Sequence, residues 1–419
     1  MPAWQSLYYE HPIEIASGQG CVVVDTEGNR YLDLFGGILT TMTGHAVPEV
    51  VDAIREQAGR IAHTSTLYLS EQLVALGERI AALANIDDAR VFFTTSGTEA
   101  NDAALLMATS FRRSNQVLAL RNSYHGRSFS TMAVTGNRSW SASSLSGLAV
   151  SFVHGGYRLR SPFRLLSDDD YTAACVQDLH DVIDMTTSGD VACMIAEPIQ
   201  GVGGFAVPPD GFFGAMKKAL DEHGILFIAD EVQTGWGRTG DHFWGYEAHG
   251  IVPDVLTFAK GIANGLPLGG VVARAEVMNA IGANSISTFG GNPVAVAAAT
   301  ANLAYLLDHD LQANARLVGA IMRDGLVALA AHHPWIAEVR GRGLMLAIEV
   351  VQPGGIVPHP LAASALLEAT RTHGVLVGKG GLYANVVRLA PPLSLTVAEA
   401  HHGLAALEAA CHDVTRMLV

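Results

Sequence analysis

The 419-residue sequence predicts an α/β fold built on a mostly parallel sheet, and three observations carry that expectation. Short apolar runs alternate with helical patterns through the middle of the chain. The runs Val91–Phe93, Val117–Ala119, Cys193–Ala196, Ile225–Ala229 and Val255–Phe258 are unbroken, as in strands buried on both faces. Several stop abruptly at polar or charged residues, the pattern of strands whose carboxyl ends deliver groups to a ligand-binding edge.

The elements follow in order along the chain. Pro48–Ile61 reads as an amphipathic helix with Val51, Ile54, Ala58 and Ile61 on its apolar face. Val91–Thr95 runs into Ser96-Gly97-Thr98-Glu99-Ala100-Asn101 and then an apolar helical stretch. Val117–Ala119 leads to Asn122-Ser123-Tyr124-His125-Gly126. The segment His154–Asp170, rich in Gly, Arg, Ser and Asp, is expected to be a surface excursion. Met194–Ala196 ends in Glu197-Pro198-Ile199-Gln200-Gly201. Gly214–His223 places Met216, Ala219 and Leu220 on one helix face. Ile225–Ala229 meets Asp230 and Glu231, and Val255–Phe258 meets Ala259-Lys260-Gly261. Pro293 opens an alanine-rich helix running to about Leu307, a position where its missing N–H costs nothing. Beyond it, strands and helices mix without alternation, which suggests a smaller α+β lobe. No internal repeat is present.

Composition narrows the function. A net charge of −14 argues against nucleic acid as a partner, because phosphate backbones need a basic face. No run approaches the ~20 apolar residues of a membrane span. The first residues lack a signal-peptide pattern, and Cys21, Cys175, Cys193 and Cys411 are scattered without a disulfide or zinc spacing. A reduced cytoplasmic setting is expected.

A carboxylate at the end of a buried strand is costly unless a positive group meets it. Only four of the 26 basic residues are lysines. Lys217 and Lys218 are adjacent on a helix pattern and are expected to be solvated. Lys379, between glycines, fails the spacing of a nucleotide-binding loop. Lys260 alone follows a buried strand, and burial makes an amine nucleophilic. It could equally be a structural partner of Asp230. Ser96-Gly97-Thr98 at a helix start suits a phosphate, or is an ordinary cap. Tyr124 could stack on a flat ring with His125 beside it. Pyridoxal 5′-phosphate would satisfy all of these groups with one molecule: phosphate at the helix, aldehyde at Lys260, ring nitrogen at Asp230.

With those residues assembled, the sequence resembles the class III (ω-type) aminotransferases of fold type I over nearly its whole length. The likeness runs from Val23-Val24-Asp25-Thr26-Glu27-Gly28 to Arg388-Leu389-Ala390-Pro391-Pro392. Its signature is Asp230-Glu231-Val232-Gln233-Thr234-Gly235-Trp236-Gly237-Arg238-Thr239-Gly240, followed by Lys260. The resemblance implies a large cofactor domain with a mostly parallel sheet over residues 48–305. A smaller α+β domain would come from residues 1–47 and 306–419. It implies that Lys260 carries the cofactor as a Schiff base and shuttles a proton, while Asp230 pairs with the ring nitrogen. Ser96, Gly97 and Thr98 would bind phosphate, Tyr124 would stack on the ring with His125 alongside, and Gln233 would approach the ring hydroxyl. Thr288, in Ser287-Thr288-Phe289-Gly290-Gly291, would reach a neighbouring subunit's phosphate, so a homodimer or tetramer is expected. Arg388 would grip a substrate carboxylate, and Glu197 would neutralise that arginine for substrates lacking one.

Within the class, Leu7-Tyr8-Tyr9, His63-Thr64-Ser65-Thr66 and Asp241-His242-Phe243-Trp244-Gly245 are similar to alanine–glyoxylate (3-aminoisobutyrate–pyruvate) aminotransferases. The region before Tyr171 is shorter than in that subgroup, and no organelle-targeting extension is seen. The expected reaction moves an amino group from an α-, β- or ω-amino acid to a small 2-oxo acid such as pyruvate or glyoxylate. A phospho-lyase on the same fold, a non-catalytic cofactor-binding protein and, more remotely, a nucleotide-binding protein are the competing readings.

Overall fold

A computed structural model describes every residue except Met1, Ala3, Ser6 and Val419. Fifteen strands form three sheets among the described residues. The first sheet joins β1 (Ile15–Gln19), β2 (Val22–Asp25) and β3 (Arg30–Asp33) to β13 (Val375–Leu376), which runs parallel to β3. The central sheet contains β4 (Ala89–Thr94), β5 (Gln116–Leu120), β6 (Ala149–Val153), β7 (Cys193–Ala196), β8 (Leu226–Asp230), β9 (Val255–Phe258) and β10 (Gly269–Arg274). The third takes β11 (Ile336–Arg342), β12 (Met345–Val350), β14 (Gly378–Gly380) and β15 (Val386–Leu389), all antiparallel. The N-terminal strands thus pair with a late one.

The central order is β4-β10-β9-β8-β7-β5-β6. Only β10 runs against its neighbours. Its sequence, with two glycines before a short apolar run, carried no strand signal strong enough to expect it. The link from β9 is a short 3₁₀ turn and loop with no crossover helix, so the chain returns antiparallel. Because β10 reverses between them, β4 and β9 share one direction. The carboxyl ends of β4, β5, β7, β8 and β9 therefore face one edge, where the polar strand ends collect. Burial on both faces explains their unbroken apolar runs: Leu118, Ile195, Ile228 and Leu256 are all buried.

The expected strand starting at Ile225 begins one residue later and takes in Asp230 as its last residue. The helix Phe212–Glu222 buries Met216, Ala219 and Leu220 as the spacing predicts. The alanine-rich helix is Pro293–Asp308, with Asn292 Oδ1 accepting from the N–H groups of Val294 and Ala295.

Three expectations need correction. The helix Pro48–Arg60 buries Val50 and Gln57 with Ile54 partly covered, and leaves Ala58 and Ile61 exposed. Its contact is the helix Pro293–Asp308, whose Ala298, Ala301 and Tyr305 meet Val47, Val50 and Ile54. Partner position selected this face over the more apolar one. Lys217 is not simply solvated, because its ammonium is 3.4 Å from Asp254 and its side chain is only 15 % exposed. The stretch His154–Asp170 is no pure surface excursion either. Tyr157 and Ser161 are buried, and the Tyr157 hydroxyl donates to both oxygens of Glu349 at 2.9 and 3.0 Å.

Glu349, wholly buried on β12, anchors this segment. It also receives Arg160 Nη2 at 2.7 Å and Arg340 Nη1 at 2.6 Å. Burial alone would raise its carboxyl pKa, but Arg340 and then Arg160 win and hold it below the usual range. A depressed carboxylate contributes stability above its unfolded pKa and loses it as pH falls through the folded value. Glu349→Gln should lower unfolding free energy by about 3–5 kcal/mol at pH 7, because two buried guanidinium groups lose their counter-ion. That deficit should shrink in acid. Urea unfolding at pH 7 and pH 4 measures both, and an undestabilised variant at pH 7 would refute the assignment.

Candidate active site

A cavity of about 310 Å³ opens at the carboxyl edge of the central sheet. Ser96, Gly97, Thr98, Tyr124, His125, Glu197, Asp230, Gln233 and Lys260 all wall it, so nine of the eleven residues singled out in the sequence meet in one place. Thr288 and Arg388 are the two that do not.

The helix Gly97–Arg112 starts at the cavity. Ser96 Oγ accepts from the Glu99 N–H at 3.2 Å, which satisfies one donor of the first turn. The N–H groups of Gly97 and Thr98 have no intrahelical acceptor at this end, and the positive end of the helix dipole adds to them. Gly97 packs closely here, since a Cβ there would lie 3.0 Å from Val232 Cγ1 and the valine would have to shift. Val232 also walls the cavity, so the missing side chain brings the helix start to it. Free N–H groups at a helix start facing a cavity are the kind of group that can meet an anion.

Asp230 ends β8, with only 4 % of its surface exposed. Oδ2 accepts from His125 Nδ1 at 2.7 Å and from Asn101 Nδ2 at 2.7 Å, and Oδ1 accepts from the Val232 N–H at 3.1 Å. The next residue, Glu231, points away and is fully buried. It accepts from Thr234 Oγ1 and from the N–H groups of Gly245 and Tyr246. Burial pushes its carboxyl up to about 7 against those bonds. Adjacent carboxylates thus do different work: Asp230 faces the cavity, and Glu231 fixes the loop after β8.

Lys260 follows β9 with φ +48°, in the left-handed region that a side chain rarely adopts. Such a conformation persists only where its surroundings enforce it. Here Asn264 Oδ1 accepts from the Thr43 N–H at 3.1 Å and Asn264 Nδ2 donates to the Gly44 carbonyl at 2.9 Å, pinning the turn that Lys260 begins. Burial, and then the Arg388 charge, lower the amine's pKa to about 8, while Asp230 and Glu197 pull the other way. About a tenth of this amine is therefore neutral, and nucleophilic, at pH 7, and about half at pH 8.

Tyr124 lies at the mouth of the pocket, edge-on to Trp140 with ring centres 5.4 Å apart. Glu197 accepts from the Tyr124 N–H at 2.9 Å and the Gly201 N–H at 2.8 Å. Burial raises its carboxyl to about 7, and nearby Asp230 adds to the rise. Gln233 Oε1 is buried and without a donor, and its carboxamide occupies space that a Cβ on Gly201 would fill.

Arg388, on β15, is buried between the rings of Phe35 and Phe205 at 4.9 and 5.4 Å. Nη1 donates to the Gly201 carbonyl and Nη2 to the Lys379 carbonyl and the Tyr8 hydroxyl, while Nε is buried without a partner among the described residues. No ion pair with Glu197 forms among the described residues. Gly201 links the two, with its N–H on Glu197 and its carbonyl on Arg388. Thr288 is exposed beside Ser287, which Glu99 Oε1 holds at 2.6 Å.

Sequence reasoning missed Asn101, Thr257 and the wall Gly265–Leu268. Asn101 did leave a signal. It stands on the buried face of an otherwise apolar helix with Ala100, Ala104 and Leu105, a position where a polar group needs a partner.

A flat cationic heterocycle bearing an aldehyde and a phosphate fits these donors: a neutral amine, a buried carboxylate, an aromatic ring and a free helix start. Fold and site together define a pyridoxal 5′-phosphate enzyme of fold type I. The chain belongs to the class III aminotransferases, whose family model (Aminotransferase class-III) matches residues 6–411. It is 40 % identical over 390 residues to alanine–glyoxylate aminotransferase 2 homolog 2, mitochondrial, of Arabidopsis thaliana, covering 93 % of this chain and 80 % of that one. It is 38 % identical over 414 residues to acetylornithine aminotransferase of Mycobacterium tuberculosis, covering 97 % and 94 %. A PLP-bound amine transaminase from an uncultivated Pseudomonas species superposes with a TM-score of 0.92 at 32 % identity, covering 99 % and 97 %. The protein is a PLP-dependent transaminase.

The lowered amine pKa gives a direct test. Covalent capture of pyridoxal phosphate by cofactor-free protein should accelerate as pH rises through about 8, following the neutral fraction of Lys260. Lys260→Ala should show neither capture nor visible absorbance, whereas Lys218→Ala should behave as wild type. Capture by the Lys260 variant would end the assignment.

Proposed function

We propose that the enzyme transfers an amino group from a carboxylate-bearing amino donor to a small 2-oxo acid of the pyruvate or glyoxylate type. Lys260 and Asp230 facing one cavity over a helix start is the observation that carries the reading. When bound, pyridoxal phosphate supplies an aldehyde that condenses with amines and a ring that takes up electron density. The chain does the rest. The helix start at Ser96, Gly97 and Thr98 would take the phosphate, and Tyr124, with His125 beside it, would meet the ring. Gln233 would offer its carboxamide to the ring hydroxyl, and Asp230 would pair with the ring nitrogen. The Lys260 amine would hold the aldehyde and, when free, would move the proton at the substrate Cα.

Arg388 reads the substrate carboxylate in this scheme. Its Tyr8 hydrogen bond, 3.1 Å to a half-buried phenol on the N-terminal segment, is the contact most readily exchanged for a carboxylate. Glu197 tunes that exchange through Gly201. The alanine–glyoxylate and acetylornithine names of the relatives support an acid-bearing substrate.

Wild type and Arg388→Ala should be mixed with a matched amino acid and its decarboxylated amine, following loss of cofactor absorbance and the oxo product. Removing a two-pronged charge-assisted bond costs roughly 2–3 kcal/mol, so kcat/KM for the acid should fall about 30- to 150-fold. The amine should change little, and Arg388→Lys should recover only part, since an ammonium cannot reproduce the fork. Equal losses for both members of the pair would remove Arg388 from recognition.

The enzyme works as a homodimer in this reading, with Thr288 completing the partner's phosphate site. Support comes from the exposed apolar side chains Leu67, Tyr68, Leu69, Ile286 and Phe289. Co-expression of Thr288→Asp with Lys260→Ala chains should regain activity that neither variant has alone, because each mixed dimer keeps one native site. Activity in a wild-type monomer would refute the shared site.

A further inference from the structure

Asp230 is held partly by Asn101, with Thr257 behind it, and no part of the transamination scheme uses either. Asn101 is 1 % exposed, one turn into the helix that opens at the cavity. Its Nδ2 donates to Asp230 Oδ2 at 2.7 Å and to the His125 carbonyl at 2.8 Å. Its Oδ1 accepts from Thr257 Oγ1 at 2.6 Å. Thr257 is the register partner of Asp230 on the neighbouring strand β9, and its carbonyl accepts from the Glu231 N–H. The amide has only one sensible orientation, since a flip would set its oxygen against a carboxylate and a carbonyl.

An ionised carboxylate has about four acceptor positions, two on each oxygen. His125 and Asn101 fill both on Oδ2, while Val232 fills one on Oδ1. We infer that Asn101, oriented by Thr257, is a positioning residue for the cofactor: it saturates Oδ2 of Asp230 and leaves Oδ1 as the oxygen open to the ring nitrogen. His125 shares this role. With Nδ1 donating to Asp230, its buried Nε2 has no partner, so the ring has no second anchor of its own and depends on the carboxylate it supports. Thr257, Asn101 and Asp230 come from β9, the first helix of the sheet edge and β8, so the relay also ties the phosphate-binding helix to both strands.

The inference rests on Asp230 as the partner of the ring nitrogen, and the test separates the two. Cofactor dissociation constants are measured by equilibrium dialysis of apoprotein, together with the apoprotein melting temperature. Asn101→Ala should weaken pyridoxal phosphate binding about tenfold, the loss of one hydrogen bond to a charged group. Thr257→Val, nearly isosteric and safe for folding, should weaken it about threefold through the loosened amide. Both effects should fall below about twofold in an Asp230→Ala background, because interacting residues lose their coupling when the shared partner is removed. Equal effects in both backgrounds, or a lowered melting temperature with unchanged cofactor affinity, would make Asn101 a packing residue and overturn the inference. If Asp230→Ala itself leaves affinity unchanged, the assignment of Asp230 is what fails.

Discussion

The carboxylate of Asp230, closing a strand buried on both faces, is the constraint around which this site is arranged. An isolated charge there would cost many kcal/mol, so it must collect donors. Two of those donors come from distant parts of the chain, His125 after β5 and Asn101 on the helix Gly97–Arg112, and the third is Val232 just beyond β8. Collecting them brings the phosphate-binding helix start and the aromatic loop into register with Lys260 at the end of the adjacent strand. The parallel sheet does this cheaply, since its carboxyl ends share an edge.

Close approach of backbones matters as much as charge. Gly97 seats against Val232, and Gly201 leaves room for the Gln233 carboxamide. Lys260 accepts a left-handed backbone that costs on the order of 1–3 kcal/mol. The turn after it, tied by Asn264 to Thr43 and Gly44, supplies the enforcing contacts. The strained residue is also the reactive amine, and its burial and strain arise from the same short connection between β9 and β10.

The smaller sheets determine what reaches this edge. Glu349 gathers Tyr157, Arg160 and Arg340, and so fastens the stretch after β6 to the antiparallel C-terminal sheet. On the same sheet, Arg388 is stacked between two phenylalanine rings and bonded to two carbonyls. Its charge therefore sits in a rigid frame, with the Tyr8 phenol as its most exchangeable neighbour. Arg388 on the C-terminal sheet and Glu197 after β7 of the central sheet thus meet at Gly201.

Local signals in the sequence determined the strand ends. An apolar run that stops at Asp230 or at Lys260 needs no partner to be visible, because alternation and abrupt polarity change are properties of neighbouring residues. The signature from Asp230 to Gly240, with Lys260 after it, carried the family and three of those nine cavity-wall residues, and the ends of the other strands carried six. Only the tertiary structure decided the rest. Asn101 and Asp230 are 129 residues apart, and Tyr157 and Glu349 are 192 apart, so no periodicity records either contact. The exposed face of the helix Pro48–Arg60 and the reversed strand β10 were likewise settled by what packs beside them. Arg388 shows the division most clearly: its place in the chain marked it as a carboxylate reader, yet which of its donors are already occupied depends on carbonyls and a phenol that only folding brings together.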